Sequence, residues 1–154
     1  MRLARTAVLA LLALACAPPR IPNTTIPDTP DTRAVLRVVD EYTAALQRRD
    51  AIAILALVAP TYFDDGGTTD PSDDLDLAGL TAALPGDLAK LKGLRIELVV
   101  RSLDVSGDTA VAEVFSDTWY QVTVKDGTVP RRDTDVHRMR FVRLQGIWKI
   151  ASGL

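Results

Sequence analysis

Two runs of alternating apolar and polar residues close the chain, and the dipeptide Gln145-Gly146 separates them. Alternation with a period of two is typical of a half-buried β-strand, and a two-residue turn containing Gly is typical of a hairpin. The pattern predicts that Leu144 pairs with Ile147. One side of this ribbon would then form a wall of the core, with His137, Met139, Phe141, Trp148 and Ile150. The other side would be largely cationic, with Val136, Arg138, Arg140, Val142, Leu144 and Lys149.

The first half of the chain has helical periodicity instead. Apolar residues recur at helical spacing from Val35 to Leu46, which predicts an amphipathic helix over residues 33–48 capped by Asp31-Thr32. Asp50 is placed to cap a second helix, residues 51–59, which Pro60 ends. A third helix is expected from about residue 76 to residue 84, where Pro85-Gly86 should break it before one more turn to about residue 92.

Strand-forming residues dominate the second half. Residues 95–105 and 109–124 are rich in β-branched and aromatic types, and Ser106-Gly107-Asp108 makes a turn between them. A wider turn over residues 125–132 leads to the terminal ribbon. Helices followed by long antiparallel strands predict an α+β fold, in which the N-terminal helices pack in the concave face of a curved antiparallel sheet.

The orientation of the strand at residues 109–124 is open from the sequence, because both of its faces carry apolar residues. We expect Phe115, Asp117 and Trp119 to face the concave side, since large aromatic side chains suit a ligand wall. The opposite assignment would turn the alternate, smaller residues inward and leave Trp119 on the outer surface.

Composition restricts the possible partners. The chain has 154 residues, a net charge of −2 and one Cys. This length suits one domain after removal of a leader. A charge near balance gives no reason to expect a nucleic-acid partner, and a single Cys excludes an intramolecular disulfide.

The N-terminus has the pattern of an export signal. Arg2 and Arg5 precede an uncharged run that is too short to span a bilayer. Its end, Ala13-Leu14-Ala15-Cys16, resembles a bacterial lipobox, which implies cleavage after Ala15 and a lipid anchor on Cys16. Residues 1–15 would be the signal peptide, residues 16–32 the lipidated Cys with a proline-rich tether, and residues 33–154 the folded domain. Ordinary secretion with cleavage near Ala17 is the alternative.

Two further features bear on the hypothesis of a lipid-anchored protein: the residue that follows Cys16 and the charge of one sheet face. Ala17 rather than Asp follows the Cys, which resembles outer-membrane sorting, so we expect a lipid-anchored protein on the extracytoplasmic side of a bacterial membrane. The basic face carrying Arg138, Arg140 and Lys149 is expected to be solvated. Its alternative role is docking onto an anionic surface. A homo-oligomer is compatible with the sequence.

An acidic segment lies between the helices. Asp64-Asp65-Gly66-Gly67 is followed by a loop containing four further Asp residues and no Glu. A calcium loop of the EF-hand type needs ligands at alternate positions and a closing Glu, so a solvated loop is the better interpretation and no metal site is expected.

Four segments, in order, carry a family resemblance. They are the helix ending in residues 42–50, the second helix running into the aromatic-acidic loop, Ser106-Gly-Asp-Thr-Ala110, and the terminal Gln145-Gly-Ile-Trp-Lys-Ile150. Together they resemble the nuclear transport factor two-like superfamily, which includes SnoaL-like cyclases and ketosteroid isomerases. The resemblance covers about residues 33–154 and implies a cone-shaped fold with a pocket between the helices and the sheet.

The resemblance also implies candidate catalytic residues. It places Tyr42 where isomerases have an oxyanion donor, Asp65 within one residue of the general base, and His137 where they have a protonated Asp. Packing offers another explanation of the same residues: a core-facing Tyr, turn-forming Asp residues before two glycines, and a structural His.

Two classes of function follow. The first is a tethered accessory domain that binds a small, largely apolar molecule without a cofactor, using Tyr42, Tyr62, Phe63, Phe115, Asp117, Trp119, Phe141 and Trp148. The second is an isomerase-like or cyclase-like enzyme that transfers protons with Tyr42, Asp65 and His137. A scaffold with a filled core is a third interpretation. The enzyme requires that the three polar groups converge on one open cavity.

Overall fold

A computed structural model of the chain describes residues 19–125 and 127–154. Three helices precede a large sheet, and a small two-stranded sheet lies between the second and third helices. The helices are α1 (Pro30–Arg48), α2 (Ala51–Leu57) and α3 (Leu77–Lys90). The strands are β1 (Phe63–Asp64), β2 (Leu75–Asp76), β3 (Leu91–Ser106), β4 (Thr109–Val124), β5 (Gly127–Leu144) and β6 (Ile147–Ser152). This is the expected α+β arrangement of helices against a curved antiparallel sheet. Cys16 lies outside the described residues.

Helix α1 begins earlier than the sequence pattern predicts. Thr29, not Asp31-Thr32, is the N-cap: its side chain accepts from the Thr32 backbone N–H, and the Thr32 hydroxyl accepts from the Thr29 N–H. Pro30 then occupies the first turn, where its missing N–H costs nothing. The reciprocal capping pair explains the extra turn.

The segment predicted to be a tether is partly folded. Arg20 forms an isolated β-bridge with Pro27, and Ile21 accepts a backbone hydrogen bond from Thr24. Ile26 lies in the core with only 2% of its surface exposed. The expected boundary at residue 33 is therefore wrong for residues 19–32, because burial of one isoleucine holds this proline-rich turn against the domain.

The predicted break at Pro85 is also wrong, since α3 continues through it to Lys90. Pro lacks one helical N–H and crowds the preceding turn, which costs about 3 kcal/mol in a helix interior. Burial on both sides of the Pro offsets this cost: Leu84 packs against the core, and Leu88 is 4% exposed in a cluster with Ala45 and Ile54.

The large sheet is a simple antiparallel meander in the order β3-β4-β5-β6. The terminal ribbon pairs as predicted at Leu144–Ile147, and Phe141 faces Ile150. Beyond this point the register slips, so Ser152 pairs with Arg140 rather than with Met139. Phe141, Met139 and Ile150 are nearly fully buried, as expected for the core side. Arg138 and Arg140 are exposed.

The expected orientation of β4 is wrong. Ala110, Ala112 and Val114 face the helices and are at most 2% exposed. Phe115, Asp117 and Trp119 alternate with them and therefore occupy the outer face. These small residues pack in the main hydrophobic cluster together with Val35 and Val39 of α1.

One main hydrophobic cluster joins the layers. It contains residues from α1, from β3 to β6 and from the N-terminal turn, including Val35, Val39, Leu103, Val114, Phe141 and Ile150. None of the helices formed by residues 19–125 and 127–154 combines the length and apolar character needed to cross a membrane.

Candidate functional site

A cavity of about 750 Å³ lies between α1 and the helix-facing side of the sheet, and it opens to solvent. Its helical wall is Tyr42. Its sheet wall runs across three strands, with Ile96 and Leu98 from β3, Ser116 and Thr118 from β4, and Asp133, Asp135 and His137 from β5. Residues 64–69 and 152–154 complete the rim. The wall is therefore polar toward β5 and apolar toward β3.

Two tyrosines lie at or near the cavity: Tyr42 on α1 lines it, and Tyr62 follows α2 just before β1. Burial raises the pKa of Tyr42 well above the ordinary tyrosine value, with a smaller contribution from nearby Tyr62. Burial also raises the pKa of Tyr62 to about 12, and the charge of Asp64 adds to that shift. Both hydroxyls are therefore neutral donors at neutral pH.

Asp64 is the fixed carboxylate of the site. Its Oδ2 accepts from the Gly153 N–H and, at 3.4 Å, from the Tyr62 hydroxyl, and its Oδ1 accepts from the Gly66 N–H at 3.1 Å. These bonds join the acidic loop to the C-terminal residues. The family resemblance implies the neighbouring Asp65 instead, because aligning helices fixes the position of a following loop only to within about a residue.

The three predicted catalytic residues line the same cavity. Tyr42 lies on α1, Asp65 on the loop after β1, and His137 on β5. Asp65 accepts from the Gly67 N–H at 3.1 Å and is exposed. His137 Nδ1 lies 3.4 Å from Asp135 Oδ2. The structure thus brings the predicted trio together, and their catalytic roles stay predictions.

Of the predicted aromatic lining, only Tyr42 is found at this cavity. Phe115, Asp117 and Trp119 are on the opposite face of the sheet, and Phe63 is 52% exposed. Tyr62, Phe141 and Trp148 are buried in the core and do not line the cavity.

Arginines cover the aromatics of the outer face. The guanidinium of Arg132 lies 4.7 Å from the Trp119 ring centre, and that of Arg101 lies 4.8 Å from the Phe115 ring centre. Arg132 also makes two hydrogen bonds to Asp117, at 2.7 and 2.9 Å, and this pairing lowers the pKa of Asp117. Cation–π contacts of this kind explain how large aromatics are accommodated on an outer face.

The sequence pattern alone does not predict the polar wall. Ser116 faces Asp135 and Thr118 faces Asp133 across the β4–β5 pair. Asp133, Asp135 and His137 alternate along β5 and therefore share one side, but this signal can be used only when the β4–β5 register is known. The expected wide turn over residues 125–132 is wrong, because β4 ends at Val124 and β5 already begins at Gly127.

Metal binding by this wall has no geometric support. Within residues 19–125 and 127–154, no group of three or more His, Cys, Asp or Glu side chains is arranged to hold a metal ion.

Comparison with solved structures defines the fold. A proposed dehydratase of the NTF2-like family from Streptomyces avermitilis has a TM-score of 0.65 at 18% identity, covering 80% of this chain and 95% of its own. A conserved protein from Planctomyces limnophilus has a TM-score of 0.66 at 14% identity, covering 79% and 91%. A proposed ketosteroid isomerase from Shewanella frigidimarina has a TM-score of 0.58 at 22% identity, covering 77% and 90%.

These similarities show that the chain has the nuclear transport factor two-like fold, as the sequence resemblance implies. No protein-family model and no curated protein matches the sequence. At these identities the likeness concerns the fold alone, and one fold of this kind hosts many functions.

Proposed function

We propose that the protein is an exported, lipid-anchored domain that binds a small organic molecule in the cavity between α1 and the sheet. The observation that carries this proposal is the convergence of polar groups from four separate segments on one open cavity. Its volume of about 750 Å³ is in the range typical of small-molecule sites, roughly 300–1,000 Å³. A scaffold with a filled core would leave no such space.

The composition of the wall indicates an amphipathic ligand. Ile96 and Leu98 offer apolar surface, whereas Ser116, Thr118 and the β5 carboxylates offer hydrogen-bonding groups. Among the large aromatics of the described residues only Tyr42 contributes, so the expected largely apolar ligand fits this wall less well than a molecule with an apolar body and a polar end.

The lipid anchor is the second part of the proposal. Its support is the sequence around Cys16, where the only Cys of the chain follows a short apolar run. Pro19 already accepts a backbone hydrogen bond from Asp28. Cys16 and Pro19 are three residues apart, so their Cα atoms can be separated by at most about 11 Å even in a fully extended chain. We therefore expect the domain to lie close to the membrane surface rather than on a long tether.

Native mass spectrometry of the full chain extracted from its membrane tests both parts. We expect an acyl mass on Cys16, loss of that mass in Cys16→Ala, and a non-covalently retained small molecule. Ser116→Trp should fill the cavity and remove the retained molecule. Ser102 is exposed on the outer face of the sheet. Ser102→Trp therefore adds the same side chain away from the cavity, and this variant should still retain the small molecule. Equal retention in both Trp variants would overturn the assignment of the cavity.

Proton transfer is a second candidate function, and one observation favours it: Tyr42, Asp65 and His137 line the same cavity. A carboxylate base and two hydrogen-bond donors are the groups needed to move a proton next to a carbonyl. The test is deuterium incorporation from solvent into cyclohexanone, measured by mass spectrometry. Exchange above the buffer rate that falls in Asp65→Asn and His137→Ala would support catalysis, whereas a rate unchanged in both variants would contradict it.

A further inference from the structure

The cavity has an acidic mouth. Asp64 at the end of β1 and Asp65 directly after it line one side, and Asp133 and Asp135 line it from β5. Asp133 and Asp135 are two residues apart on one face of a strand, so their side chains emerge about 7 Å from each other. Four carboxylates therefore surround one opening.

Two arginines are the only cationic residues along this lining in the described part of the chain. Arg138 and Arg140 flank Met139, which is fully buried on the helix-facing side, so their side chains leave the strand from the outer face. There Arg138 pairs in register with Glu113, and both arginines also line an outer depression with Asp104. Four carboxylates and two arginines leave the lining with an excess of negative charge.

A buried polar group in the same wall lacks a partner. Ser152 is 6% exposed and lies on the helix-facing side of β6 with Trp148 and Ile150. Its hydroxyl has no hydrogen-bond partner among the described residues, and the residue lines the cavity. A buried hydroxyl without a partner is unfavourable, and a ligand that hydrogen-bonds to it would remove that cost.

The carboxylates are too dispersed for a metal ion. No three acidic or imidazole groups in residues 19–125 and 127–154 approach one point closely enough to ligate one. A charge distributed around a wide mouth suits a larger cation, whose ammonium group meets one or two carboxylates while its carbon skeleton lies on Ile96 and Leu98.

We propose that this cavity selects a small organic cation, namely an ammonium compound with an apolar body. The inference rests on the proposed binding function and adds the chemical class of the ligand. The ammonium would lie at Asp133 and Asp135, and its apolar body would extend toward β3. Electrostatic attraction at such a mouth raises selectivity for the cation more than it raises affinity in general.

Isothermal titration calorimetry of the full chain with three matched probes tests the inference. The probes are 2-phenylethylamine, which is cationic, 2-phenylethanol, which is neutral, and phenylacetate, which is anionic. We expect the amine to bind about tenfold more tightly than the alcohol, and phenylacetate to bind most weakly. The preference should shrink as salt concentration rises, because the mouth is open to solvent.

Variants separate the two proposals. The double variant Asp133→Asn with Asp135→Asn should abolish the preference for the amine, whereas Asp104→Asn on the outer face should leave it unchanged. If the alcohol binds as tightly as the amine and Ser116→Trp abolishes both, the cavity binds small molecules but the cationic class is wrong. If Ser116→Trp leaves binding of all three probes unchanged, or none binds, both proposals fail.

Discussion

Arg143 and Asp31 join the terminal ribbon to the first turn of α1, with Arg143 Nη1 2.7 Å from Asp31 Oδ1. The indole N–H of Trp148 donates to the same oxygen at 3.3 Å, and the Arg143 guanidinium lies 5.2 Å from the Trp148 ring centre. Arg143 also donates to Asp108 at 2.8 Å, in the turn between β3 and β4. One guanidinium thus connects helix, turn and ribbon, and it fixes the position of α1 above the sheet.

Removal of this connection should destabilise the fold. Arg143→Ala is expected to lower the free energy of unfolding by about 1–2 kcal/mol, because charge-assisted bonds to two partly exposed carboxylates are lost. Urea unfolding measures the change. Arg37→Ala, at an exposed position of α1, is the control and should change stability by less than about 0.5 kcal/mol. Equal effects would show that Arg143 does not hold the layers together.

Two phenylalanines in opposite environments test the packing of the ribbon. Phe141 is 2% exposed in the main core, so Phe141→Ala should cost about 3–5 kcal/mol through lost burial and an unfilled cavity. Phe63 is 52% exposed, so Phe63→Ala should cost less than about 1 kcal/mol. Thermal and urea unfolding compare the two. A larger loss from Phe63→Ala would contradict the assigned core face.

Gly153 closes the cavity at the C-terminus. It has φ +92°, and a Cβ added there would overlap the Arg138 carbonyl oxygen and approach Met139 Cα to 2.9 Å. Gly153→Ala should cost about 3 kcal/mol and disturb Asp64, which accepts from the Gly153 N–H.

Gly146 is a matched control for that substitution. It has φ +82° in the hairpin turn, but a Cβ there meets nothing within 4 Å. Gly146→Ala should therefore cost only the strain of the left-handed conformation, about 1 kcal/mol. Equal losses from the two substitutions, measured by urea unfolding, would exclude the close approach at Gly153.

The pair between Asp117 and Arg132 predicts a specific acid sensitivity. Hydrogen bonds from Arg132 hold the pKa of Asp117 below its ordinary value of 3.8, so the unfolded chain takes up this proton at a higher pH than the folded one does. The stabilisation is complete above the ordinary value and is lost as pH falls through the lowered pKa. Asp117→Asn should lose less stability than the wild type between pH 7 and pH 3, as measured by urea unfolding. If Asp117→Asn has the wild-type dependence instead, the ion pair with Arg132 does not contribute to folding.

The elements that the sequence predicts well have strong local signals. Alternation around Gln145-Gly146 gives the ribbon register at Leu144–Ile147 and Phe141–Ile150, because a two-residue turn fixes pairing on both sides. Apolar spacing likewise predicts that Val35 and Val39 on α1 face the core. The helical spacing on α1 also predicts the side on which Tyr42 lies, and the alternation on β5 predicts the side on which His137 lies. Both residues therefore reach the cavity.

The errors come from contacts that are distant in sequence. Ile26 in a proline-rich segment has no periodic neighbours, so its burial depends on a surface that other segments build. The face of β4 depends on the packing of Ala112 and Val114 in a cluster that other segments build, and Pro85 is tolerated because Leu88 finds a buried site. The Asp133 and Asp135 wall depends on long-range register across the β4–β5 turn.

The central claim is that the cavity beside His137 is where a small organic cation binds. His137 is the only His of the chain, so its imidazole signals in a heteronuclear NMR spectrum are unambiguous. The indole signal of Trp119 on the outer face is the internal control. Titration with 2-phenylethylamine should shift the His137 signals and leave the Trp119 signal in place. A shift at Trp119 with none at His137 would contradict the account.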